Sequence, residues 1–75
     1  MLVQLEGATF IKKDNIAYAQ EINSSNKKSI KTARKLNRLV DLTKNQKRNL
    51  IIITVEGYVF LSAHTFNYLL KQLYN

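Results

Sequence analysis

Seventy-five residues make one domain, near the lower limit at which a chain buries a self-sufficient core. The absence of cysteine excludes disulfides and thiolate metal sites, and a hydrophobic share of 45% argues against disorder. The formal charge of +7 is concentrated: nine basic residues between Lys27 and Arg48 face one acid, Asp41, while the flanking segments are close to neutral.

Small size without covalent staples favours oligomerisation, which lets subunits share a core. No apolar run approaches the roughly 18 residues that span a bilayer. The start, Met1 to Leu5, lacks the basic region and cleavage site of a signal peptide. A soluble intracellular protein is the expectation.

In chain order, Leu2 to Leu5 reads as a short strand and Glu6-Gly7 as a turn. Ala8 to Ile11 forms a second strand, Lys12-Lys13-Asp14-Asn15 a polar turn, and Ile16 to Ile22 a third strand. The three predict an opening meander of antiparallel strands. Asn23 to Asn26 breaks the pattern, and any of its members suits the cap of a following helix.

Lys27 to about Arg38 reads as that helix. At about 100° per residue, Lys27, Lys28, Lys31, Arg34, Lys35 and Arg38 fall within an arc of roughly 120°. Ile30, Ala33 and Leu36 lie broadly opposite. A face that merely keeps a helix in water mixes charge signs and gains from Glu–Lys pairs. This segment contains no acid, so its cations repel until an anion arrives.

Leu39 to Leu42 predicts a short strand, and Thr43 to Arg48 a polar loop carrying Lys44, Lys47 and Arg48. Leu50 to Val55 holds five β-branched residues in six without alternation, the pattern of a central strand buried on both faces. Glu56-Gly57 turns it and Tyr58 to Ser62 returns as its hairpin partner. Ser62 is the expected cap of a last helix in which Phe66, Leu69, Leu70 and Leu73 repeat at amphipathic spacing.

Catalysis has little to build on. His64 is the only histidine, no two carboxylates form a short-spaced pair, and Gly7 and Gly57 are isolated turn glycines. No enzyme, metal, cofactor or small-molecule substrate is expected. Phe10, Tyr18, Tyr58, Phe60 and Phe66 fall on faces that need filling, so they read as core rather than as base-stacking platforms. Tyr68 and Tyr74 read as half-exposed and suited to a subunit contact.

The opening Met1-Leu2-Val3-Gln4-Leu5-Glu6-Gly7, the segment Ile11 to Ala17, and Leu50 to Ser62 with Phe60-Leu61-Ser62-Ala63 resemble the bacterial extracellular-matrix regulators of the RemA and RemB type. Leu39-Val40-Asp41 with the basic loop and apolar hairpin is similar to RemA. The chain start and Tyr68-Leu69-Leu70-Lys71 look more like RemB. The resemblance implies a cytoplasmic DNA-binding transcriptional regulator of extracellular-matrix and biofilm genes. It also implies assembly as a ring of identical subunits. The arginine-bearing loop of that family matches Gln46-Lys47-Arg48, so Lys47 and Arg48 carry over. Gln46 and Asn49 stand where RemA-like sequences have further arginines, and Ala63 where RemB-like sequences show proline.

The expectation is therefore an α+β domain spanning residues 1 to 75. It is a bent antiparallel sheet with one inserted basic helix and a C-terminal amphipathic helix. Lys31, Arg34, Lys35 and Arg38 from the helix, with Lys44, Lys47 and Arg48 from the loop, would meet duplex DNA phosphates without a membrane partner. The alternative is a scaffold module whose basic face binds an acidic partner protein.

Overall fold

The β-branched run forms β5 (Leu50–Thr54) at the centre of a four-stranded sheet, where Leu50, Ile51 and Ile52 are fully buried. The computed structural model describes residues 1–74. Before it come β1 (Leu2–Gln4), β2 (Phe10–Lys12), β3 (Ile16–Glu21), α1 (Lys27–Lys35) and β4 (Leu39–Asp41). After it come β6 (Val59–Ser62) and α2 (Phe66–Leu73). The fold class is α+β, as the sequence predicts.

The sheet order is β3-β5-β6-β4, and β1 pairs with β2 in a separate antiparallel hairpin. Two expectations are corrected here. β3 does not continue a meander from β2 but pairs with β5, Gln20 opposite Ile51. The sheet is mixed rather than antiparallel, because β4 runs parallel to β6, Val40 opposite Phe60. The reason is connectivity. β3 and β4 run in the same direction at opposite edges, so the chain must cross the sheet between them, and α1 is that crossover.

Alternation along β5 and β6 then feeds two cores. Ile51, Val59 and Leu61 face α1 and meet Ile30 and Ala33. Leu50 and Ile52 face the other way and pack with Val3, Leu5, Ile11 and Leu69. The side-chain amide of Gln72 fastens α2 to the hairpin: Gln4 N donates to Gln72 Oε1 at 2.8 Å and Gln72 Nε2 donates to Gln4 O at 2.9 Å. Glu6 ties the first turn to the far end of β6, accepting from Ser62 Oγ (2.8 Å) and Ala63 N (2.6 Å).

Ser62 is thus occupied, and Thr65 caps α2 instead, its side chain accepting from Tyr68 N at 3.2 Å. The aromatic expectation is also revised. Phe60 and Phe66 pack against the core, but Phe10 and Tyr58 are about half-exposed and Tyr18 nearly so, since they lie on the hairpin's outer face, a turn and an edge strand. Tyr68 is half-buried and stacks on His64 at 3.9 Å, while Tyr74 is exposed.

Candidate nucleic-acid interface

The first basic region is α1. A 3-10 turn, Ser24–Asn26, leads directly into it and carries the capping box: Asn23 Oδ1 accepts from Ser25 N (2.9 Å), and Asn26 Oδ1 accepts from Asn23 N (2.8 Å). With Ile30 and Ala33 buried, Lys27, Lys28, Lys31, Arg34 and Lys35 are exposed. None of these cations forms an ion pair among the described residues.

The helix ends three residues earlier than its charge pattern suggests. Asn37 adopts a left-handed conformation (φ 58°), with its N–H donating to Arg34 O (3.2 Å) and the Arg38 N–H to Ala33 O (2.7 Å). This pair of bonds is the Schellman stop. Leu36, expected on the buried face, is 60% exposed at the helix end. Arg38 leaves the helical arc. Its guanidinium donates to Glu56 O at 2.7 Å and lies 5.7 Å from the Tyr58 ring centroid, bracing the β5–β6 turn. Its charge stays exposed, but its direction is set by the turn rather than by α1.

The second basic region is the loop from Leu42 to Asn49. Lys44 (φ 49°) and Asn45 (φ 70°) form a left-handed bend, and Gln46 N donates to Thr43 O. Asn49 anchors the return. Its N donates to Ser62 O, its Nδ2 to Ala63 O at 2.8 Å, and its O accepts from Ile22 N. Lys44 and Lys47 are exposed. Arg48 is not free: its Nη2 donates to Asp41 Oδ2 at 2.8 Å, in the one ion pair among the described residues.

Asp41 also accepts from Thr43 N (3.0 Å) and Thr43 Oγ1 (2.5 Å) through its other oxygen. Burial raises its pKa, but the Thr43 hydrogen bonds and the Arg48 guanidinium outweigh this and hold the carboxyl below its ordinary 3.8. In the sequence Asp41 stands out as the lone acid of a basic block, with nothing that assigns it a partner. A strand end and an irregular loop separate it from Arg48, so no local periodicity pairs the two.

The loop joins the ends of β4 and β5 beside Leu50, and the start of α1 lies toward the same end, since Ile22 N donates to Asn49 O and Gln20 Nε2 to Asn26 Oδ1; Arg34, Lys35 and Arg38 instead lead into Leu39, which pairs with Val59 at the other end of the sheet. The length of β5, about 13 Å at 3.3 Å per residue, thus lies between the loop and the C-terminal end of α1. Each region borders an open cleft. One of about 270 Å³ is lined by Glu21, Ile22, Lys47, Arg48, Asn49 and the start of α2. The other, about 320 Å³, lies between Lys28, Ser29 and Thr32 of α1 and Arg38 with Gly57.

Among the described residues no group of histidines, cysteines or carboxylates is arranged to hold a metal ion, and no helix is long and apolar enough to cross a membrane. No curated protein matches the chain. A family model described as RemA-like, extracellular matrix regulatory protein A-like, matches residues 2–73, and the chain belongs to that family.

Proposed function

We propose that this member of a family of extracellular-matrix regulatory proteins is a DNA-binding transcriptional regulator that grips duplex phosphates with α1 and the 42–49 loop. The observation that carries the reading is the cationic face of α1. It presents five exposed basic residues with no acid in the helix and, among the described residues, no ion pair to quench them. Such a face costs self-repulsion in the free protein and is relieved by a polyanion.

Lysine predominates over arginine in the basic block, and lysine acts as a point charge rather than a planar fork. Base readout is accordingly modest, and selectivity comes from DNA shape and from the spacing of subunits. Assembly of identical subunits in a ring belongs to this reading. Its support is that β3 and β4 leave both edges of the main sheet unpaired, and that Leu2, Phe10, Val40, Tyr58 and Phe60 line an open apolar groove beside β4. Repetition would multiply weak phosphate contacts by avidity.

The test is a binding titration with labelled duplex long enough to span several subunits, beside one with an acidic protein as competitor. Tight binding that unlabelled duplex displaces and the acidic protein does not is the expected result. Failure to bind duplex at low salt would overturn the reading.

A further inference from the structure

Asp41 sits at the end of β4 and joins both halves of the basic loop. One oxygen holds Thr43, which is buried at the loop's entry, and the other holds Arg48 near its exit. Between these points Lys44 to Lys47 are exposed, and the Asp41–Arg48 contact is the side-chain link that spans them. Only one edge of the guanidinium is used, which leaves the rest of its planar fork of N–H groups for another acceptor. The same Arg48 lines the cleft that Lys47 and Asn49 share with Glu21.

We propose that Asp41 is the positioning residue of the basic loop: it holds Arg48 along the end of β4, with its remaining N–H groups presented at the Lys47–Asn49 cleft to receive a phosphate. The inference rests on the DNA-binding reading and deepens it. An arginine ordered before binding loses less side-chain freedom when a phosphate arrives. Without Asp41 the guanidinium would still share its cleft with the Glu21 carboxylate, and pairing there would fill the space a phosphate needs.

This makes a prediction opposite to simple charge counting. Asp41→Asn raises the formal charge from +7 by one and keeps an oxygen for Thr43, so bulk electrostatics would tighten DNA binding. Positioning predicts that it weakens binding about fivefold, which corresponds to about 1 kcal/mol. The effect should vanish when Arg48→Met is already present, since Asp41 acts through Arg48.

The experiment measures duplex affinity for the wild type, Asp41→Asn, Arg48→Met and the double variant. In parallel it follows the Arg48 Nε–Hε signal by NMR in the free proteins. Weaker binding by Asp41→Asn only where Arg48 is present, with an ordered wild-type Arg48 that becomes mobile in the variant, is the expected outcome. Tighter or unchanged binding overturns the inference, as does an equal effect in the Arg48→Met background. Should the wild type bind no duplex, the regulator reading fails by itself and the NMR comparison decides: Arg48 ordered only with Asp41 supports positioning, and Arg48 equally mobile in both overturns it.

Discussion

The two basic regions of this chain place their charge by different routes, five cations on α1 against three in the 42–49 loop. On α1 the cations stand on a regular scaffold whose other side is pinned to the sheet by Ile30 and Ala33, and among the described residues no carboxylate pairs with them. In the loop there is no periodic scaffold. Position comes instead from individual bonds: Asp41 to Thr43 and Arg48, and Asn49 to Ser62 and Ala63. A helix can therefore offer many cations whose order costs little, whereas a loop must bind its own arginine to aim it. The helix supplies free charge and the loop supplies placed charge.

The largest effect should come from the helix. Replacing Lys31, Arg34 and Lys35 together by glutamine removes three exposed cations without touching Ile30 or Ala33. Duplex affinity should then fall by on the order of a hundredfold or more at moderate salt, with the log–log salt slope shallower by about 2.7. Circular dichroism should show the fold unchanged. Retention of the wild-type slope would remove α1 from the interface.

Lys47→Ala with Arg48→Ala should follow, flattening the slope by about 1.8 and leaving the protein folded. A slope that does not move would assign all phosphate contacts to α1 and end the two-region account. Gly57→Ala separates the regions by stability rather than charge. Gly57 has φ +92°, and an added Cβ would come within 3.1 Å of Arg38 Nη1. A loss of about 1–3 kcal/mol in chemical denaturation is expected, with the loop's contribution to binding retained.

The smallest effect is a pH dependence confined to the loop. Asp41 ionises below its ordinary 3.8 in the folded protein, so the stability it contributes is present above about pH 4 and is lost as pH falls through the depressed value. Asp41→Asn should therefore lose less stability than the wild type when pH is lowered below 4. Identical acid profiles would show that the Asp41 contacts contribute nothing measurable.

Much of this architecture is written locally in the sequence. The unalternating β-branched run of β5 announces a central strand, and the four apolar residues of α2 announce its buried side. Charge at helical spacing identifies the cationic side of α1. What local pattern could not show is what depends on pairing at a distance. β3 looks like the third strand of a meander, yet its partner is β5, because the crossover through α1 sets the order of the sheet. Phe10 and Tyr18 have the composition of core residues, but the hairpin's outward face and the free edge of β3 leave them exposed. The end of α1 was legible after all: Asn37 is a residue type that tolerates the left-handed stop, and the repeating charge up to Arg38 obscured it. In the candidate interface the cations are visible as composition, but the Asp41–Arg48 contact exists only once β4 and the loop are folded.

The measurement that bears most directly on the central claim is the salt dependence of wild-type binding to duplex DNA, compared with the helix and loop variants on one plot. Two cooperating phosphate-binding regions predict a steep wild-type slope, of about −0.9 for each phosphate engaged, that each variant set reduces in proportion to the cations it removes. A shallow slope, or one that neither variant set changes, would contradict the claim that these two surfaces hold DNA.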